Sequence, residues 1–239
     1  RPFFLEGAEI FNIPGPFRTV HTRTIVDPLY GAKLTGKAGK TTVGVLYTND
    51  EAPGNFDHPD APFYPDNLGE SAQTFVGRLR YDLYSESYVG AIVTHRDFLS
   101  RQSRLVGVDS NFRIGSTHSF SLRAMGTDHR DEDAFEKTGY FVDASFRKTG
   151  RRLSYRASTY VLSPDFKTDV GFVRRTNLRR GSGNIGYEWR PETWIIGWGP
   201  SINYSRNYNF DQVLEDEQIQ ARLNFVFAGN LRLNINTNR

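Results

Sequence analysis

The sequence predicts an all-β fold, an antiparallel meander, on three observations. Apolar and polar residues alternate with a period of two along most of the 239 residues, which places successive side chains on opposite faces of a strand. Short runs rich in Gly, Pro, Asn, Ser and charged residues separate the alternating segments. No long apolar stripe with the 3.6-residue period of a helix interrupts them.

The pattern is clearest in residues 139–190. Phe141, Asp143, Ser145 and Arg147 take one phase, and Tyr140, Val142, Ala144 and Phe146 take the other. Lys148-Thr149-Gly150 has the length of a short hairpin loop. Beyond it, Leu153, Tyr155, Ala157, Thr159 and Val161 oppose Arg152, Ser154, Arg156, Ser158 and Tyr160. Val170, Phe172 and Arg174 share a phase, with Arg174 breaking its polarity and calling for a bulge or a rim position. Asn184, Gly186 and Glu188 then face away from Ile185, Tyr187 and Trp189. One face of this meander is apolar and aromatic, the other polar and arginine-rich.

In chain order, residues 1–17 lack a period and carry Pro2, Gly7, Pro14, Gly15 and Pro16, as an irregular entry segment packed inside or beneath the sheet. Residues 18–239 supply the strands. Alternation begins at Arg18–Ile25, where Val20, Thr22 and Thr24 oppose Thr19, His21 and Arg23. Two strands follow across Lys37-Ala38-Gly39, the second with Val43, Val45 and Tyr47 as a β-branched and aromatic face. Residues 49–71, dense in Pro, Gly, Asp and Asn, read as the longest loop. Phe75, Gly77, Leu79, Tyr81 and Leu83 then oppose Thr74, Val76, Arg78, Arg80 and Asp82. Val89, Ala91 and Val93 face outward. Val106, Val108, Ser110 and Phe112 oppose Gly107, Asp109, Asn111 and Arg113, with Leu105 on the polar side. Phe120, Leu122 and Ala124 oppose Ser119, Ser121, Arg123 and Met125. Residues 127–137 read as a solvated, charge-rich loop. Near the end, Trp194, Ile196 and Trp198 share a phase. Ile219, Ala221, Leu223, Phe225 and Phe227 oppose Gln218, Gln220, Arg222, Asn224 and Val226, and Leu231, Leu233 and Ile235 alternate with Arg232, Asn234 and Asn236. Roughly twelve to fourteen strands result.

Composition narrows the class. Thirty Lys+Arg against 27 Asp+Glu give a formal charge of +3, a mild basic excess that does not by itself imply a nucleic-acid partner. There is no cysteine, so disulfides and thiolate metal sites are excluded. Mean hydropathy is −0.54, and no apolar run is long enough for a membrane helix. Strands that alternate in polarity remain compatible with a transmembrane β-barrel. The start at Arg1-Pro2, without an initiator Met, reads as a processed or excerpted chain.

Two architectures share this alternation. In a soluble sandwich the apolar phase faces a core; in a membrane barrel it faces lipid and the polar phase lines the lumen. Many uniform strands, loops alternating between short and long, and a polar phase that mixes arginines with acids and small hydroxyls favour the barrel. A barrel in lipid must close, on itself or with further strands.

The opening RPFFLEGAEIF, GAKLTGKAG at 31–39, SPDF at 163–166 and GNIGYEWRP at 183–191 resemble a family of bacterial outer-membrane β-barrel domains of unassigned function. In that family the barrel usually follows a module resembling a family-9 carbohydrate-binding module. The resemblance implies an outer-membrane location, lipid as a partner, and a barrel that continues beyond the position of Arg239. The carbohydrate-binding module is absent from these residues, so sugar binding is carried to none of them.

Catalytic motifs are not found: no GxSxG, P-loop, dinucleotide fingerprint or HExxH occurs. The five histidines, His21, His58, His95, His118 and His129, are not spaced as metal pairs. Asp57, His58 and Asp60 read as solvated surface, and His95 with Asp97 as a lumenal hydrogen bond. Glu6 reads as an ionic anchor to lumenal arginines. Arg151-Arg152, Arg174-Arg175 and Arg179-Arg180 flank turns and suit acidic lipid head groups or solvent. No cofactor, metal or nucleic acid is expected. The functional surface is instead the polar phase, with Arg78, Arg80, Asp82, Asp109, Arg123, Asp143, Arg147, Arg152, Arg156, Asp169, Glu188 and Arg222 lining the lumen and a modest preference for anionic solutes. The leading expectation is a porin-like or export-linked barrel without catalysis. The alternatives are a plugged barrel anchoring a separate periplasmic or secreted carbohydrate-binding or hydrolytic module, and a soluble all-β binding domain.

Overall fold

The computed structural model describes residues 7–54, 69–131 and 135–239. Its framework is one antiparallel sheet of twelve strands in strict sequence order: β1 (Pro28–Ala38), β2 (Thr41–Asp50), β3 (Ala72–Tyr84), β4 (Ser87–Phe98), β5 (Arg101–Ile114), β6 (His118–Arg130), β7 (Glu136–Thr149), β8 (Leu153–Leu162), β9 (Leu178–Tyr187), β10 (Ile195–Tyr208), β11 (Leu214–Phe227) and β12 (Arg232–Asn238). Gly39, at φ 58°, makes the sharp reversal between β1 and β2, a conformation glycine adopts without strain. Register follows the two phases: Val43 pairs with Leu79, and Arg80 with Gly90.

The meander is present, but it is not a barrel. β1 and β12 end the strand order, and the sheet is not closed by pairing between them. An unclosed sheet encloses no lumen, and lipid tolerates no unpaired edge. The expected closed transmembrane barrel, its porin-like solute passage, outer-membrane lipid as partner and an outer-membrane location are therefore corrected to an open antiparallel sheet. A plugged barrel anchoring a periplasmic or secreted module falls with them. Among the described residues, no helix is long and apolar enough to cross a membrane.

Several segments differ locally from their expected form. Thr22–Thr24 form a 3-10 turn, not strand. Residues 163–177 leave the sheet between β8 and β9 as an inlay, which an isolated bridge ties to the entry segment at Arg18 and Phe172. Much of the expected 127–137 loop is strand, because β6 runs to Arg130 and β7 begins at Glu136. Glu6, Asp57, His58 and Asp60, with most of the expected 49–71 loop, lie outside the described residues.

The chain divides into two compact units. The first comprises Arg1–Ser110, Arg123–Phe141 and Ser163–Thr176; the second comprises Asn111–Leu122, Val142–Leu162 and Asn177–Arg239. In the first unit, segments 7–27 and 163–176 lie across the polar phase of the strands and make it a core. Phe11, Ile25, Leu46, Val76 and Val170 form one buried cluster. Phe17 packs edge-on against Phe141 at 5.0 Å and against Phe166 at 4.9 Å between ring centres. The inlay presses so closely that a Cβ on Gly139 would stand 2.3 Å from the Phe166 Cα, and one on Gly171 would stand 2.4 Å from the Arg18 carbonyl oxygen. Only glycine fits at either place.

The opposite phase of the first unit stays outside, with Leu79, Val93, Val106 and Val108 all exposed. In the second unit Ile185, Ile202, Ile219, Leu233 and Ile235 are exposed as well. Exposed apolar side chains of this kind have the character of an interaction surface in either unit. The second unit also carries a ladder of stacked rings, Trp189 on Trp198 at 4.5 Å and Trp198 on Phe225 at 5.9 Å.

Candidate functional site

The two inlaid segments are fixed to the first unit by hydrogen bonds that leave their backbones little freedom. Arg18 and Phe172 exchange both backbone bonds, and the His21 amide donates to the Val170 carbonyl at 2.8 Å. The buried Asp50 carboxylate accepts from the Val26 and Asp27 amides at 3.0 and 2.7 Å. Arg96 donates to the Thr24 carbonyl at 3.1 Å; burial lowers its guanidinium pKa, and the charges of Asp50 and Asp169 oppose that shift. Ser163 and Tyr140 are tied twice, backbone amide to carbonyl and Tyr140 amide to Ser163 Oγ. The Lys167 and Asp169 amides donate to Thr127 Oγ1 and Ser103 Oγ.

One cluster of titratable groups belongs to this fastening. His129 is buried, and its Nε2 lies 2.6 Å from Asp131 Oδ1 and 2.7 Å from Lys167 Nζ. Lys167 also donates to Asp131 at 3.0 Å. Hydrogen bonds from His129 and then Lys167 pull the Asp131 carboxyl down to about 2. The arrangement is a clamp from the inlay to the end of β6, and neither ring nitrogen is open to a substrate.

Between the two segments lies an open cavity of about 520 Å³, lined by Gly15, Pro16, Phe17, Arg18, His21, Arg23, Phe172 and Arg174. Three arginines and a histidine are among its lining residues, and among the described residues no Asp or Glu contributes to its wall. Among the described residues, none of these four basic side chains has a hydrogen bond or ion pair. The Phe172 ring is 52% exposed beside this opening, tilted against the His21 ring at 5.9 Å. Phe17 closes the interior side against Phe141 and Phe166.

The residues expected to line a lumen are distributed differently. Arg78 is buried and forms a two-point ion pair with Asp109 at 2.5 and 2.9 Å. Arg80 donates to Asp82 at 2.9 Å and covers the Tyr88 ring at 4.0 Å. Asp82 also accepts from Lys37 at 2.5 Å, and this bond leads the lowering of its pKa. Arg78 is thus matched to an acid inside the sheet, whereas Arg80 shares its one acid with Lys37 and is partly exposed. Asp143 is buried and Arg123 half-buried, while Arg147, Arg156 and Arg222 are exposed along their strands and Arg152 is exposed in the bend before β8. Asp169 sits on the inlay, 3.9 Å from His129 Nδ1. Glu188 is held by both nitrogens of a fork from Arg190 at 2.9 and 3.0 Å. His95 hydrogen-bonds Asp97 at 2.7 Å at the outer end of β4, in the phase of Val93.

Of the twelve residues the structure brings Arg78 together with Asp109 and Arg80 with Asp82 as ion pairs, and it spreads the others along the strands and the inlay. The basic cavity was not singled out by sequence. Its one signal was Arg174, out of phase with the apolar residues around it. Among the described residues, no group of His, Asp and Glu side chains is placed to hold a metal ion.

A second, smaller cavity of about 330 Å³ belongs to the second unit. Its floor is small, Gly186, Gly197, Gly199, Ser154 and Ser201, and Arg152 and the Glu188–Arg190 pair stand at its walls.

Comparison with protein-family models gives no match, and comparison with curated proteins gives none. The expected membership in the outer-membrane barrel family is corrected accordingly: the open sheet departs from that family's fold, and no family match supports the likeness.

Proposed function

We propose that this chain is a non-catalytic all-β binding domain that holds a small anionic ligand in the basic cavity of its first unit. One observation carries the reading. Arg18, His21, Arg23 and Arg174 line an open cavity to which, among the described residues, no carboxylate contributes and in which none of the four side chains has a hydrogen bond or ion pair. Elsewhere in the same unit arginines are matched to acids, as in Arg78–Asp109. Unmatched guanidinium groups gathered on a rigid backbone are what a ligand carboxylate or phosphate requires. The volume lies within the ordinary range for small-molecule sites. Among the described residues no nucleophile or acid–base pair lines the cavity, which favours binding over turnover.

Calorimetric titration with inorganic phosphate tests the reading. Phosphate is expected to bind with an affinity that falls as salt rises. Replacing Arg18→Gln and Arg174→Gln together should weaken it about tenfold or more, the order of a lost charge-assisted hydrogen bond. Equal binding by the wild type and the double variant sinks the proposal.

A further inference from the structure

We infer that the ligand of the basic cavity is a planar aromatic phosphate, with its ring against Phe172 and its phosphate among Arg18, Arg23 and Arg174. This deepens the anion-binding reading and rests on it. Two features of the cavity go beyond charge. The first is the Phe172 ring, which is 52% exposed although the residue is held on both sides by backbone bonds to Arg18. An apolar ring fixed in the open at the edge of a cavity presents a flat face for offset stacking. The His21 ring, tilted by 41° at 5.9 Å, and the buried Phe17 extend that apolar side inward.

The second feature is the charge count. Three arginines line the space with, among the described residues, no acid beside them, so a dianion is better matched than a monoanion. The aromatic side comes from Phe17, His21 and Phe172, while Arg174 lies two residues beyond Phe172 and Arg18 is its backbone partner. A ring and an attached phosphate would therefore meet their respective groups within one molecule. Inorganic phosphate fills only the charged half.

Three probes applied to the full chain by titration calorimetry separate the possibilities: phenyl phosphate, inorganic phosphate and phenol. Phenyl phosphate is expected to bind about tenfold more tightly than inorganic phosphate, since aromatic stacking and apolar burial add to the charge term. Phe172→Leu, which keeps an apolar side chain at an exposed position, should weaken phenyl phosphate about fivefold to tenfold and leave inorganic phosphate within about twofold. Phenol alone should not bind measurably. Equal affinity for the two phosphates, or no effect of Phe172→Leu on phenyl phosphate, overturns the aromatic assignment while leaving the anion site standing. Binding of neither phosphate overturns both. Binding of phenol as tight as that of phenyl phosphate also overturns the assignment, because the arginines would then contribute nothing.

Discussion

The polar phase of the sheet has two different fates in the two units. In the first unit it is covered by segments 7–27 and 163–176, and among the described residues strands and covering segments together bury thirteen hydrophobic residues, from Phe11 and Ile13 to Phe166 and Val170. In the second unit, among the described residues, only Leu162 and Leu178 reach that degree of burial. The strands of both units alternate in the same way, so alternation does not decide which side becomes a core. The decision lies with segments that are not strands. Where they are laid on the polar phase they exclude water, lock arginines to acids, and leave one deliberate gap between themselves.

The sharpest way to break this contrast is at a charge. Asp109→Ala strips the partner from Arg78, whose side chain is 3% exposed, and should cost about 3–5 kcal/mol in chemical denaturation. Removing Glu188 from Arg190 in the second unit breaks a pair exposed on both sides and should leave the transition where it is. Similar losses from the two substitutions would erase the difference between the units.

A smaller effect is expected at the root of the inlay. Ser163→Ala removes the Oγ that accepts from the Tyr140 amide and should destabilise by about 1–2 kcal/mol, with protease sensitivity rising first within 163–176. Smaller again is the pH effect at the Lys167 clamp. The Asp131 carboxyl falls from its ordinary 3.8 to about 2 in the folded chain, so its contribution is present above pH 3.8 and is lost as pH drops toward 2. Melting curves of Asp131→Asn should lie below wild type at pH 6 and meet it near pH 2; a gap that persists unchanged into acid contradicts the clamp. The least effect is assigned to the outer phase of the second unit. Ile202→Thr, at a position 47% exposed, should change stability by less than about 0.5 kcal/mol.

Much of the sheet was legible in the sequence because a period of two leaves a direct trace. The opposition of Phe141 and Asp143 to Tyr140 and Val142 survives in their burial, and Leu105, on the polar side by phase, is buried there. Closure was not legible. It depends on whether the first and last strands pair, and alternation within a strand carries no information about a distant edge. The second inlay was misread for a related reason. Val170, Phe172 and Arg174 alternate like a strand, yet the Ser163-Pro164 start and the close approach at Gly171 take that segment out of the ladder and onto it. His129 was placed in a solvated loop by its charged neighbours, whereas its own phase on β6 carries it inward. The basic cavity draws on residues far apart in sequence, and only the out-of-phase Arg174 hinted at it.

Amide hydrogen exchange, followed by mass spectrometry on peptides covering 16–25 and 163–174, tests the central claim most directly. The account holds that both segments are fastened parts of the first unit's core, with Arg18, His21 and Phe172 bonded through their backbones. Their peptides should therefore exchange as slowly as those of β2 and β3, and slow further when phenyl phosphate is added. Rapid exchange of both segments, at the rate of a surface loop and unaltered by the ligand, would contradict it.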